Sequence, residues 1–119
     1  MAHEVMEIRD EVIKLRLSGL LTRADMTALQ ELAVRMIRQG KKPRVLAVLD
    51  SFQGWATHED WNEIDFLAEH GDDIVRMALV GDDAWKDETC LFVAKGLRAT
   101  EIEFFSPAAL DEAEQWVAS

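Results

Sequence analysis

The chain has 119 residues, of which 49% are hydrophobic and 30% are charged, and its formal net charge at pH 7 is −10. A chain of this length forms one domain that buries roughly two thirds of its unfolded surface, so a single domain over residues 1–119 is predicted. The acidic charge argues against nucleic acid and anionic lipid surfaces as partners, because both are bound through clustered lysine and arginine.

The cysteine content and the N-terminal sequence lead us to expect a cytoplasmic protein. Cys90 is the only cysteine, which excludes an intramolecular disulfide and a cysteine-rich metal site. Residues 1–12 contain neither a basic region nor a long apolar segment, so no signal peptide is predicted. No apolar stretch approaches the ~18 residues that a membrane span needs.

The first two predicted strands form a hairpin. Residues 4–8 are predicted to be a short strand, and residues 12–18 alternate between apolar and polar side chains. Ile13, Leu15 and Leu17 share the apolar face of this second strand. The short polar turn between the strands predicts that they are antiparallel.

A long helix is predicted after the hairpin. Residues 19–21 are expected to form a connection, and Thr22 is predicted to cap the helix, with Asp25 completing a variant of the capping box. Apolar residues then recur at helical spacing as far as Gly40, which is predicted to end the helix as a C′ glycine.

The central segment, 43–61, is the most informative part of the sequence. Residues 45–49 are a short apolar run, typical of a strand buried in the middle of a sheet. Residues 52–56 are predicted to be an aromatic loop, and Thr57 to be the N-cap of a second helix that Gly71 ends. Ligands of open α/β sheets bind beyond the carboxyl ends of strands, which is where this loop is expected.

Two more strands are predicted, over residues 74–80 and 100–105. Between them lies a third helix, whose N-cap is expected to be Asp82 or Asp83 and whose end is expected at Gly96. A specific helix-start signal follows the second of these strands.

The elements together predict an α/β fold with a five-stranded mixed sheet and four helices. Ser106 and Pro107 supply an N-cap and a first-turn proline for the last helix. The N-terminal hairpin is antiparallel and the other strands are parallel, joined by right-handed crossovers. Charged residues that alternate with apolar ones are predicted to share one face, which places the helices chiefly on the other. These residues are Lys14, Arg16, Arg76, Glu101 and Glu103.

A homodimer is predicted from this charged face. Ala47, Ala78 and Phe105 are expected to lie among its charged residues, so that the face is only partly polar. Exposed apolar area favours association, and two-fold symmetry is the commonest closed arrangement of subunits.

Three stretches of the chain carry a family resemblance: VLAVLDSFQGW, MALVGDDAWKD and IEFFSPAALDEAEQWV. With the order of the predicted elements, they resemble the SpoIIAA-like family of bacterial proteins, and the likeness covers essentially the whole chain. That family shares its fold with STAS domains and with CRAL-TRIO lipid-exchange domains. The resemblance implies a non-enzymatic module that holds a hydrophobic ligand or meets a membrane or protein partner.

One motif departs from the STAS pattern. Anti-sigma-factor antagonists with this fold carry an Asp-Ser-Ser-Gly-type phosphorylation motif at the start of the second helix. This chain has Asp50 and Ser51 earlier, and Thr57 and His58 at the helix start. The standard phosphoserine motif is therefore missing, and Ser51 and Thr57 are the candidates for modification or for docking a protein partner.

No catalytic residue, metal ion or cofactor is predicted. The histidines are too scattered in sequence for a zinc ligand set, and Cys90 lies within a helix with no adjacent histidine to act as its base. Asp50, Asp82 and Asp83 follow strands and would provide acid–base groups or cation ligands if they met at one sheet edge. Capping and turn formation, which aspartate favours at such positions, are the preferred explanation of these residues.

The leading functional prediction is an apolar pocket between the second and third predicted helices and the sheet. Small-molecule sites are usually lined by apolar and aromatic side chains, and this chain places several aromatics on neighbouring segments. The alternative is that the rings only fill the end of the core. The predicted ligand-binding residues are Phe52, Trp55, Trp61, Trp85 and Phe92.

Two functions stay open at this point. One is a binding module for a small hydrophobic or lipid-like ligand, and the other is a regulatory protein-interaction module that docks a partner through residues 51–57. Gly54 lies between two aromatic residues, which further predicts that this segment moves between a state that covers the pocket and one that exposes it.

Overall fold

The computed structural model describes residues 2–57, 59, 61 and 69–119, and within them the strands form one sheet. The strands are β1 (His3–Arg9), β2 (Val12–Leu21), β3 (Arg44–Trp55), β4 (Arg76–Val80) and β5 (Glu101–Phe105), and they lie in the sheet in this order. β1 is antiparallel to β2, and every other neighbouring pair is parallel. The predicted mixed sheet with an N-terminal antiparallel hairpin is confirmed.

The described residues contain three α-helices rather than the four predicted. They are α1 (Arg23–Arg38), α2 (Lys86–Phe92) and α3 (Leu110–Ala118). The second predicted helix, 57–71, falls mostly on residues 58, 60 and 62–68, which lie outside the described part of the chain. No described helix combines the length and the apolar character needed to cross a membrane.

The start of α1 is the predicted capping box. The Thr22 side chain accepts a hydrogen bond from the Asp25 N–H at 3.1 Å, and the Thr22 N–H donates to the Asp25 carboxylate at 3.0 Å. Nδ1 of His3, in β1, lies 2.5 Å from Oδ1 of the same carboxylate. Asp25 is only 2% exposed. Burial acts to raise the pKa of Asp25, but the hydrogen bonds from His3 and Thr22 outweigh it and lower the pKa to about 2.

Asp25 is expected to make the stability depend on pH. Its pKa is lower in the folded protein than the ordinary 3.8, so its contribution to the free energy of unfolding is complete above about pH 4 and is lost as the pH falls toward 2. Denaturant unfolding of the wild type and of Asp25→Asn should therefore give stabilities that converge at low pH. Glu31→Gln, at an exposed position of α1, serves as the control. If the free energies of unfolding of the wild type and of Asp25→Asn differ by the same amount at all pH values, Asp25 does not cause the pH dependence.

Alternation along the strands gives the sheet two different faces. On one of them, which we call the cavity face, buried side chains pack against α1 and α2. They are Ile13, Leu15, Leu17, Ala47, Leu49, Met77, Leu79 and Ile102. α1 contributes Met26 and Met36 to this layer, and α2 contributes Cys90 and Phe92.

The opposite face, which we call the charged face, carries all five charged residues that the sequence predicts to share it. The register places Lys14 and Glu103 in one row across the sheet. Arg76 pairs with Glu101, and Arg16 follows Lys14 by two residues, which puts it on the same side of β2.

α3 packs across this charged face. Ala113 and Val117 are buried against Leu46, Ala78 and Val80, so the face has a small apolar core of its own. Two of the three described helices thus lie on the cavity face, as predicted, and α3 lies on the other.

The charged residues hold α3 in place. Lys14 Nζ donates to Glu114 at 2.7 Å, and Arg76 donates to the backbone oxygen of Trp116 at 2.8 Å. The Arg76 guanidinium also lies 4.9 Å from the centre of the Trp116 ring, a cation–π arrangement. These side chains serve as helix anchors as well as a solvated surface.

The structure corrects the reasoning behind the homodimer. Ala47 belongs to the cavity face, because it alternates with Leu46 and Val48. Ala78 is fully covered by α3, and Phe105 packs on Trp116 with ring centres 5.8 Å apart. The charged face does not expose the apolar area that the argument required, and the dimer stays a prediction.

The predicted aromatic loop is wrong, because residues 51–55 continue β3. They pair with the end of β2, where Gly19 lies opposite Phe52 and Leu21 opposite Trp55. The predicted connection over 19–21 is likewise part of β2. Ser51 has a left-handed backbone (φ 57°) at the irregularity where the register shifts.

The remaining boundaries differ from prediction by a few residues. Asp82 caps a 3₁₀ turn, Asp83–Trp85, and α2 ends at Phe92 instead of near Gly96. Ser106 precedes a second 3₁₀ turn, Pro107–Ala109, and α3 follows that turn directly.

Candidate functional site

A cavity of about 270 Å³ lies between the cavity face, α1 and α2. Leu15, Ala47 and Leu79 are among the side chains of its floor, and Met26 and Ala33 of α1 cover it from above. The sheet supplies this floor because every second residue of β2, β3 and β4 is apolar and points to the same side. The volume is close to the lower limit for small-molecule sites.

The five predicted aromatic residues meet in one cluster at the end of this cavity. The ring centres of Phe52 and Trp55 are 5.4 Å apart, and those of Trp55 and Phe92 are 5.1 Å apart. Trp61 lies 5.5 Å from Phe92 in an edge-to-face arrangement. These four residues line the cavity.

Trp85 belongs to the cluster but lies behind the cavity wall. Its ring centre is 5.0 Å from that of Phe52 and 6.2 Å from that of Trp55. Gly54 packs beside the Trp85 ring, and its φ of 101° is a backbone conformation that glycine adopts more readily than other residues. Trp85 therefore supports the aromatic wall from outside.

Some polar groups at the cavity are hydrogen-bonded within the protein. The indole N–H of Trp61 donates to the Ala56 backbone oxygen at 3.1 Å, and the Thr89 hydroxyl donates to the Trp85 backbone oxygen at 2.6 Å. Two buried nitrogen atoms are exceptions within the described part of the chain. Trp55 Nε1 and Arg98 Nη2 have no hydrogen-bond partner there, and both residues line the cavity.

Arg98 is held in position by backbone groups. Its Nε donates to the Gly71 oxygen at 2.8 Å, and its Nη1 donates to the Val93 oxygen at 3.2 Å. Burial lowers the pKa of the guanidinium, an effect that the nearby carboxylate of Asp72 partly offsets. Asp72 itself accepts a hydrogen bond from the Ala99 N–H at 2.9 Å.

Sequence reasoning did not identify Arg98. A single arginine in the connection between a helix and a strand usually faces solvent, and no local pattern distinguishes this one. Its position depends on the Gly71 carbonyl group, which lies 27 residues earlier in the chain and which only folding brings close to Arg98.

The other candidate groups do not form a reactive set. Burial raises the pKa of the half-buried Cys90 thiol, so the thiol stays protonated near neutral pH. Asp50 lies 3.9 Å from Arg16, and Asp82 caps its 3₁₀ turn by accepting from the Ala84 N–H at 2.9 Å. In the described part of the chain, no three histidine, cysteine, aspartate or glutamate residues are grouped to hold a metal ion.

The two candidates for modification or docking are both exposed. Ser51 lies within β3, in the left-handed position described above, and Thr57 lies in a turn just after the strand. His58, which was considered with Thr57 as the start of a helix, is outside the described residues.

Comparison with known proteins identifies the fold. A family model described as SpoIIAA-like matches residues 12–118. The chain is similar to the crystal structure of an uncharacterised protein with a SpoIIAA-like fold from Shewanella loihica PV-4, with 20% sequence identity and a TM-score of 0.67. The similarity covers 98% of this chain and 92% of that one, and at this identity it concerns the fold alone. No match is found among curated proteins.

Proposed function

The chain belongs to the SpoIIAA-like family, and we propose that it is a non-enzymatic binding module that holds a small hydrophobic or amphipathic ligand in the cavity above the sheet. The observation that carries this proposal is the cavity of about 270 Å³, whose walls are aliphatic and aromatic side chains. The aromatic residues that line it are Phe52, Trp55, Trp61 and Phe92.

The size of the cavity sets the affinity that is expected. Burying a methylene group contributes about 0.8 kcal/mol, so a chain of roughly eight carbons contributes about 6 kcal/mol before the cost of association. A gross contribution of about 6 kcal/mol corresponds to a dissociation constant of tens of micromolar, and the cost of association weakens it toward the millimolar range. This is the affinity of a carrier or sensor that releases its ligand readily.

The polar groups of the cavity support binding without catalysis. The Trp55 indole and the Arg98 guanidinium are hydrogen-bond donors by their chemistry, and neither is a base or a nucleophile at neutral pH. The neighbouring thiol of Cys90 is protonated, for the reason given above.

Binding of the apolar dye N-phenyl-1-naphthylamine tests the proposal, together with native mass spectrometry of freshly purified protein. We expect the dye to fluoresce on binding and 1-octanol to displace it. The protein's own tryptophan emission should change as well, because Trp55 and Trp61 line the cavity, whereas Trp116 lies on the charged face.

Two conservative variants localise the dye. Trp55→Phe should lose much of the change in tryptophan emission, and Trp116→Phe, the matched control, should keep it. An absence of dye binding together with a ligand-free native mass would defeat the proposal. That result would leave a regulatory protein-interaction module, with docking through residues 51–57, as the better explanation.

A further inference from the structure

The unpartnered donors at the cavity indicate what kind of ligand fits it. In the described part of the chain, the buried side-chain atoms without a hydrogen bond are Trp55 Nε1 and Arg98 Nη2, and both are donors. A buried donor without an acceptor is unfavourable, and more so when it belongs to a charged group. A ligand that satisfies them has to bring acceptors.

The positive charge of Arg98 further restricts the chemical class of the ligand. Its other two donating nitrogens are bonded to the Gly71 and Val93 backbone oxygens, which are neutral. No carboxylate of the described residues lies within ion-pairing distance of the guanidinium, and the carboxylate of Asp72 is engaged with the Ala99 N–H. Arg98 therefore lines an apolar cavity and has a buried N–H group without an acceptor, and an anionic oxygen that reaches this group is its best partner.

We propose that the ligand is a medium-chain carboxylate whose carboxylate group accepts a hydrogen bond from Arg98 Nη2 and whose hydrocarbon chain occupies the aromatic end of the cavity. The proposal rests on the binding function proposed above and names its ligand class.

The volume sets the length of the chain. A water molecule occupies about 30 Å³ and a methylene group is similar in size, so a cavity of about 270 Å³ holds roughly nine such groups. A carboxylate of roughly eight carbons fills it. Longer acyl chains would have to extend out of the cavity.

Octanoate and 1-octanol form a matched ligand pair, because they share a chain length and differ in the anionic head group. Displacement of N-phenyl-1-naphthylamine gives both dissociation constants. For the wild type we expect octanoate to bind at least about tenfold more tightly than 1-octanol, the effect of one charge-assisted hydrogen bond in an apolar site.

Arg98→Met should remove this preference while leaving 1-octanol binding within about threefold of the wild type. Arg76→Met is the matched control: Arg76 also donates to a backbone oxygen and is half-buried, but it lies on the charged face. It should keep the wild-type preference. An unchanged preference in Arg98→Met, or equal binding of both ligands to the wild type, would overturn the inference and leave the proposed function standing.

A second measurement needs no variant, in case Arg98→Met does not fold. The carboxyl carbon of ¹³C-labelled octanoate, observed by NMR during a pH titration with wild-type protein, should show a pKa below that of the free acid, because the guanidinium stabilises the ionised form. A bound carboxyl group with a raised pKa would overturn the assignment to Arg98. If neither octanoate nor 1-octanol displaces the dye and the dye itself does not bind, the proposed function fails as well.

Discussion

Replacing Ala47 with leucine is expected to weaken ligand binding with little change in stability, whereas the same replacement at Ala78 should destabilise the protein. Both alanines are buried on central strands, at neighbouring positions of β3 and β4. They differ in the face they occupy. Ala47 lines the cavity, and Ala78 is 0% exposed beneath Ala113 and Val117 of α3.

The physical reason is the space available to the added carbons. A leucine at position 47 adds three carbon atoms, which take up about 90 Å³ of a cavity of about 270 Å³ at roughly 30 Å³ each. We expect the free energy of unfolding of Ala47→Leu to stay within about 1 kcal/mol of the wild type, and dye affinity to fall at least about tenfold.

At position 78 no such space exists. Inserting methylenes into a well-packed core typically costs 1–3 kcal/mol, so Ala78→Leu should lower the free energy of unfolding by about that amount. Dye binding to the folded fraction should be nearly unchanged. Urea unfolding and dye titration of the two variants provide both readouts. Equal destabilisation by the two substitutions would show that the cavity does not accept a side chain.

Leu46→Ala is expected to have the largest effect on stability. Leu46 is 1% exposed on the charged face and packs with Ala113 and Val117 of α3. Removing a buried leucine side chain loses its transfer free energy and leaves a cavity, which together cost about 2–5 kcal/mol. We expect a loss of this size in urea unfolding, with dye binding to the folded protein retained.

The control is Leu91→Ala, because Leu91 is 77% exposed on α2. Its replacement should change the free energy of unfolding by less than about 0.5 kcal/mol. If Leu46→Ala costs no more than Leu91→Ala, the contact of α3 with the sheet does not contribute to stability, and the description of a second core on the charged face is wrong.

The site was predictable in part. The aromatic residues were identified because Trp and Phe are concentrated in segments that follow neighbouring parallel strands, and the carboxyl ends of such strands meet at one edge. Arg98 was not identified from the sequence, because its role depends on the distant Gly71 backbone oxygen and on burial by other segments. The residues next to Arg98 in the sequence do not predict such a contact.

The sequence by itself determined the number of strands, their parallel or antiparallel order, the capping box of α1 and the shared face of the charged residues. These features depend on the side-chain period and on residues a few positions apart, such as Thr22 and Asp25. Tertiary structure decided the rest. Residues 51–55 are a strand because Gly19 and Leu21 of β2 are there to pair with them, and α3 covers the charged face because Leu46 and Ala78 leave an apolar patch between the charges. Strand pairing and helix packing depend on contacts between segments that are distant in sequence. The free energy of these contacts outweighs the local preferences, which predicted a loop after β3 and a charged face without a helix.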